Sequence, residues 1–428
     1  MKFARGNSWH TLHYLIVCFI LTAFLVSCGG GGGDNPPSTG STGGTGGGGG
    51  DSISTLNSAG LDLLKSKDIT NAKVKFQAAV EAAGTQSSND ADTARFFYAL
   101  TRVAALGFDL TSDGNSNDLN RAADIFDRFG CSSAGRDPFL WTATCPDTLP
   151  GGTPTTGELL TFLQDVVLPE LEGATSNLDG VSSSFNKVWT EPISSTTVES
   201  DYGDVLFARA SLKALRAEIL ILLSYNLDID IDAQANDTTS TAEQRLANNP
   251  NFFKPTASAS AYLPQGRALL QGMVDDLIAA ANAIQTETDS QTDDLITLED
   301  MTQADITQGK ADLTTFKDAL STATTVDDNE TPSDTNDDVV INGDPFFSTV
   351  LDLRAMFPPF TGDNPTGFFP DPTFGGVLVQ PTNLNDDLNN NSVADIFENG
   401  GAAKAKSLTK SLHKDQQKVQ TFRDKVLK

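Results

Sequence analysis

The strongest chemical pattern in the sequence is a run of oxygen-bearing side chains between residues 387 and 398. The donors fall at alternate positions, and a carboxylate stands at the twelfth. Calcium takes about six to eight oxygen ligands, which a tight loop of this kind can supply. The expected ligands are Asp387, Asn389, Asn391, the backbone carbonyl of Val393, Asp395 and Glu398.

The same segment resembles the calcium loops of EF-hand, thrombospondin and dockerin-type modules, and the resemblance implies that calcium binds there. The chain departs from the EF-hand pattern at Ser392, where that family has glycine, and at Asn389 and Asn391, which replace aspartate. A second interpretation stays open. An Asn-rich turn could cap a short helix at Val393 to Glu398 without any metal.

Histidine is too scarce for most catalytic sites. His10 and His13 precede the predicted cleavage site, which leaves His413 in the C-terminal tail. No Ser-His, Cys-His or His-ligated zinc arrangement forms around one histidine, and the sequence has neither Gly-x-Ser-x-Gly nor Cys-x-x-Cys. We therefore expect a protein that is not an enzyme. The enzymatic alternative is a carboxylate pair acting as general acid and base, as in glycoside hydrolases.

A segment rich in glycine, proline and phenylalanine runs from Gly367 to Gly376. Its aromatic side chains Phe368, Phe369 and Phe374 could stack on a sugar or a peptide ligand. The alternative is that they pack onto the core, since apolar clusters more often serve packing than binding.

The N-terminus has the order of an export signal. Lys2 and Arg5 precede an apolar run from Tyr14 to Val26. This run of about thirteen residues is shorter than the roughly twenty that a spanning helix needs. The sequence therefore predicts a signal peptide over residues 1–27 rather than a membrane anchor.

The four residues Leu25-Val26-Ser27-Cys28 resemble the lipobox of bacterial lipoproteins. The resemblance implies cleavage before Cys28 and a diacylglycerol group on its thiol. Gly29 stands where enterobacterial lipoproteins of the inner membrane carry aspartate, which favours the outer membrane. The alternative is an ordinary secretory signal that leaves Cys28 as a free thiol.

Residues 28–50 contain the lipidated cysteine and a tract of Gly, Ser, Thr and Pro with no apolar side chains to bury. Such a composition predicts a flexible tether with a root-mean-square span on the order of 25 Å. The folded body would then stand away from the membrane surface.

Two cysteines, Cys131 and Cys145, remain in the mature chain after Cys18 is removed with the signal and Cys28 is lipidated. An exported compartment permits disulfides, and a loop of about fifteen residues gains roughly 3 kcal/mol in the chain-entropy model. We expect these two cysteines to form a structural bridge. A redox-active pair would favour Cys-x-x-Cys spacing or nearby basic residues.

The formal net charge of −27 argues against nucleic acid as a partner, because phosphate binding needs clustered Lys and Arg. Residues 401–428 are the exception, since they are basic, with apolar residues near one face of a predicted helix. This tail could dock on an anionic membrane or on the acidic body, or it could be a solvated terminal helix.

The body opens with two amphipathic stripes separated by a short polar turn, which predicts a helical hairpin. The stripes are Leu56, Ala59, Gly60, Leu63, Leu64 and Ala72, Phe76, Ala79, Val80. Their small and large residues resemble a tetratricopeptide repeat, in which small side chains sit where the helices touch. A second unit is suggested by Ala94 to Leu106 with a partner at Leu119 to Phe129, but a regular solenoid would need at least about three units.

Helical periodicity continues through most of the body. Further helices are predicted at Gly157 to Leu171, Asp204 to Asn226, Pro264 to Gln285 and Leu298 to Leu320. The helix at Asp204 to Asn226 is apolar around much of its circumference and should be central. Loops are expected at Asp232 to Thr241 and Thr325 to Asp338, and a short strand at Val339 to Ile341.

Alternating acids occur at Asp228, Asp230 and Asp232. They are interpreted as a solvated edge strand, with a cation contact as the alternative.

The fold is accordingly predicted to be mainly α: a tetratricopeptide-like helical domain over 51–324, an irregular, partly β segment over 325–400, and the basic tail over 401–428. The expected function is a membrane-tethered lipoprotein that binds a protein partner through helical-hairpin surfaces. The alternative is a cell-envelope carbohydrate-binding protein or a carboxylate-dependent glycoside hydrolase. A groove lined by aromatics would favour sugar, whereas an apolar helical face would favour protein.

Overall fold

The structure is a computed structural model, and the parts of the chain that it describes are residues 51–108, 119–132, 145–146, 149–191, 196–236, 240, 242–288, 294–298, 301–326, 339–350 and 353–356. These residues are mainly helical, as the sequence predicts. No helix among them is long and apolar enough to span a bilayer.

The N-terminal part is a stack of three helices, α1 (Ile53–Lys65), α2 (Ile69–Ala83) and α3 (Asn89–Phe108). Ser52 and Asp68 cap the first two helices by accepting hydrogen bonds from the backbone amides of Thr55 and Asn71. The predicted hairpin is therefore present as α1 and α2.

A small residue lets α1 and α2 approach closely. A Cβ atom built on Gly60 would lie 2.6 Å from the ring of Phe76, which is fully buried. Phe76 in turn stacks on Phe97 of α3, with the ring centroids 5.3 Å apart. This contact explains why the α1 stripe carries glycine where α2 carries phenylalanine.

The proposed second repeat is incomplete among the described residues. The helix expected at Leu119 to Phe129 is α4 (Ala122–Arg128), of seven residues. The chain then forms α5 (Thr156–Phe162), a π-helical turn at Leu163–Val167 and α6 (Leu168–Asp179), where one continuous helix to Leu171 was expected. Thr155 caps α5 in a capping box with Glu158.

A β-hairpin that sequence periodicity did not indicate follows α6. Its strands are β1 (Asn186–Thr190) and β2 (Thr197–Asp201), which pair antiparallel with Asn186 opposite Asp201. Trp189 holds it to the helices, because its ring packs edge-on against Phe97 with the centroids 4.9 Å apart.

Strand β2 leads directly into α7 (Tyr202–Leu223), which contributes to each of the three larger hydrophobic clusters of the described residues. Leu212, Leu215 and Ile219 belong to the cluster that also contains residues of the N-terminal helices and α6. Ala217 belongs to a second cluster, and Ala210 and Ala214 belong to a third. The predicted central position of this helix is confirmed.

The prediction of a loop at Asp232 to Thr241 was wrong for its first part, because residues there form a short helix, α8 (Ile231–Asn236). Asp230 accepts a hydrogen bond from the amide of Ala233, which satisfies an amide at the start of this helix. The edge strand proposed for Asp228, Asp230 and Asp232 is therefore also wrong.

The remaining elements follow α8 in the chain. They are α9 (Ala242–Asn248), α10 (Ala259–Thr286), α11 (Gln303–Ala319), β3 (Thr324–Val326), β4 (Val339–Ile341), α12 (Asp344–Thr349) and a 3-10 turn at Leu353–Met356. The longest of them, α10, packs along α7. Helix α10 begins before the proline where its start was expected, so Pro264 lies inside it. The predicted strand at Val339–Ile341 is confirmed, and it pairs antiparallel with β3.

The segment after residue 325 is not wholly separate from the helical body. Phe347 of α12 is buried in one hydrophobic cluster with Leu263 of α10 and Leu320. Helix α12 therefore belongs to the same core as α10.

Candidate functional site

Acidic side chains gather where β2 runs into α7. Asp201 ends the strand and caps the helix, since its Oδ1 accepts hydrogen bonds from the amides of Gly203 (2.6 Å) and Asp204 (3.1 Å). Asp204 completes the capping box, because its Oδ2 accepts a hydrogen bond from the amide of Asp201 at 3.0 Å. This reciprocal capping box explains why acids occupy both positions.

Two further acids reach the same place from distant parts of the chain. Glu287 follows the last residue of α10, and Asp294 forms a parallel bridge with Glu199 of β2. The ends of α7 and α10 touch, since a Cβ on Gly203 would lie 2.6 Å from Ile284. Side-chain oxygen atoms of Asp201, Glu287 and Asp294 consequently lie within 4.8 Å of one another. We call these three residues the acidic centre.

Asp204 lies next to the acidic centre and is buried, with 2% of its surface exposed. Burial raises the pKa of its carboxyl to about 8, the hydrogen bond from the Asp201 amide opposes the rise, and the charges of Asp201, Asp294 and Glu287 add to it. Its Oδ1 has no hydrogen-bond partner among the described residues.

Oxygen ligands from three carboxylates suit a hard cation such as calcium or magnesium. A glycosidase-like role is less suited to this place, because a general acid must contact the bond that it protonates. Asp204 is almost fully buried, and one of its oxygens is engaged in the helix cap.

Of the site residues expected from sequence, Cys131 and Cys145 lie in the described part of the chain. Their sulfur atoms are 2.11 Å apart, at disulfide distance. The lipidation site Cys28, the basic tail and the aromatics Phe368, Phe369 and Phe374 lie outside the described residues. So do all of the predicted calcium ligands, Asp387, Asn389, Asn391, Val393, Asp395 and Glu398.

Sequence reasoning missed the acidic centre. The available signal was the pair Asp201 and Asp204, three residues apart before an apolar helical run, which is typical of a helix start. Nothing in the sequence connects this pair with Glu287 and Asp294, which lie more than eighty positions away.

The described residues thus define a mainly helical protein with an acidic centre at one end of its central helix. Comparison with protein-family models, curated proteins and solved structures found no match to the chain.

Proposed function

We propose that the chain is a lipid-anchored protein of the bacterial cell envelope that binds another protein through its N-terminal helices and is not an enzyme. The lipobox-like segment ending at Cys28 supports the anchor. The observation that carries the binding role is the helical hairpin of α1 and α2 stacked on α3, because paired helices of this kind offer long outer faces to partners.

One side of the hairpin is covered by the body. Glu170 of α6 forms ion pairs with Lys73 of α2 (3.1 Å) and Arg102 of α3 (2.6 Å). Val74 lies on the face of α2 opposite the buried stripe of Ala72, Phe76 and Ala79, and 57% of its surface is accessible to solvent. A partner would therefore contact α2 on the exposed face that carries Val74.

The anchor is tested by growing cells that express the full chain with radiolabelled palmitate. The wild-type chain should incorporate label and partition into detergent, whereas Cys28→Ala should do neither. Cys18→Ala is the matched control, because it removes a cysteine from the signal core and should still be labelled. Labelling that persists in Cys28→Ala would refute the anchor.

The binding role is tested with a photo-crosslinking amino acid placed in the full chain in living cells. Position Val74 should give a discrete crosslinked species. The exposed Asp165, which lies in the π-helical turn, is the control and should not. Absence of a species specific to Val74 would count against a partner on this face.

A further inference from the structure

The acidic centre brings like charges together more closely than helix capping requires. Capping accounts for Asp201 and Asp204, whose carboxylates satisfy backbone amides at the start of α7. Capping does not by itself bring in Glu287 and Asp294, which come from beyond α10. Three carboxylates whose oxygen atoms lie within 4.8 Å of one another repel each other when ionised, and a cation bound among them offsets that repulsion.

We propose that Asp201, Glu287 and Asp294 bind a divalent cation, calcium in preference to magnesium, with the buried carboxyl of Asp204 beside them. This site is separate from the loop at residues 387–398, and it goes beyond the proposed function, which requires no metal.

The second observation that points to a ligand is Asp204 itself. Its side chain is more than nine-tenths buried, and its Oδ1 lacks a hydrogen-bond partner in the described part of the chain. Buried polar atoms nearly always have partners, so such an atom needs a specific explanation. The Oδ2 of the same carboxyl accepts a hydrogen bond from the amide of Asp201, which places Asp204 beside the acidic centre. A cation bound at the acidic centre would bring a positive charge close to this buried carboxyl.

The ligand set favours calcium. Each of the three carboxylates can supply one oxygen or more, with the Oδ2 of Asp201 facing the ion while its Oδ1 accepts both helix amides, and water can complete a shell of about six to eight oxygens. The ligands come from a strand end, a helix end and a bridged loop, which suits the variable geometry of calcium better than the strict octahedron of magnesium. An ion there would fasten the chain between α10 and α11 to β2 and α7.

Calcium chloride is titrated calorimetrically into the chelator-treated full chain carrying Asp387→Ala, which disables the loop predicted from sequence. We expect one saturable site. Glu287→Gln combined with Asp294→Asn should weaken it about tenfold or more, because ligand charge governs calcium affinity. Asp165→Asn with Glu172→Gln is the matched control, since it removes the same charge from exposed positions and should leave binding unchanged.

Several results would overturn the proposal. They are the absence of saturable calcium binding, equal weakening by the control pair, and magnesium binding as tight as calcium binding. Thermal melting in chelator guards against a folding artefact. Without metal, the Gln and Asn variant should still unfold in one cooperative transition, which would show that weaker calcium binding does not come from misfolding. Neither lipid labelling nor crosslinking at Val74 depends on this result, so the proposed function stands or falls separately.

Terbium luminescence gives a second readout that locates the ion. The indole Nε1 of Trp189 donates a hydrogen bond to Ser200 Oγ at 2.9 Å, next to Asp201 in the chain. Terbium in the acidic centre should therefore be excited through Trp189 and be displaced by calcium. Trp189→Phe should lower the emission while calcium affinity stays the same. Emission that is unchanged in Trp189→Phe would contradict this location.

Discussion

Replacing Gly60 by alanine tests whether close helix contact in the hairpin is essential. The added Cβ would lie 2.6, 2.7 and 2.9 Å from three atoms of the Phe76 ring, distances at which something must move. The ring has little freedom, because Phe76 is fully buried and stacks on the equally buried Phe97. Either α1 moves away from α2 or the aromatic stack shifts.

Two opposing effects set the size of the change. Alanine is favoured over glycine inside a helix by about 1 kcal/mol. Overpacking a tight core costs about 1–3 kcal/mol, and a clash with a fully buried ring belongs in the upper part of that range. We therefore expect Gly60→Ala to lower the free energy of unfolding by about 1 kcal/mol, although helix propensity alone predicts that the substitution stabilises the protein.

The assay is urea unfolding followed by far-ultraviolet circular dichroism. Gly272→Ala in α10 is the control, because its Cβ would meet only the flexible Lys213 side chain at 3.4 Å or more, and it should stabilise the protein by up to about 1 kcal/mol. Phe76→Leu should relieve the clash, so the double variant should show a favourable interaction of about 1–2 kcal/mol. Stabilisation by Gly60→Ala, or strict additivity with Phe76→Leu, would refute the reasoning.

Three further predictions concern charges and the cysteine pair. Asp276 is 5% exposed and forms ion pairs with Arg209 and Lys213, both at 2.6 Å. Asp276→Ala should therefore lower the free energy of unfolding, measured in urea, by about 3 kcal/mol, because it leaves two cations without this partner. A loss below about 1 kcal/mol would contradict this. Burial raises the pKa of Glu218 to about 7, above its unfolded value. The contribution of this carboxyl to folding stability is therefore fully present below about pH 4.5 and is lost as the pH rises through 7. Glu218→Gln should therefore stabilise the protein at pH 8 by about 1–2 kcal/mol after allowance for partial exposure. If the melting temperatures of variant and wild type differ by the same amount at pH 4 and pH 8, the pKa of Glu218 is not raised. Reducing the Cys131–Cys145 pair should lower stability by roughly 3 kcal/mol, with no effect of reductant on the double serine variant; melting that is insensitive to reductant in the wild-type chain would show that the loop is not constrained by a bridge.

The sequence by itself determined the features that depend on neighbouring residues. Apolar spacing predicted the helical hairpin, the central helix α7 and the helices around it, because side chains three and four apart share one helix face. The strand at Val339–Ile341 was likewise predicted from its β-branched residues. Short elements were less accessible. The β1–β2 hairpin and α8 hold too few residues for periodicity to distinguish them from loops.

Only the tertiary structure decided which distant acids meet. The capping pair Asp201 and Asp204 could be recognised locally, but Glu287 and Asp294 join it because α10 packs along α7 and ends beside its first turn. The burial of Asp204, and hence its raised pKa, follows from the same packing. Local patterns specify helices because their interactions span a few residues, whereas a site built from three chain segments exists only once those helices are packed.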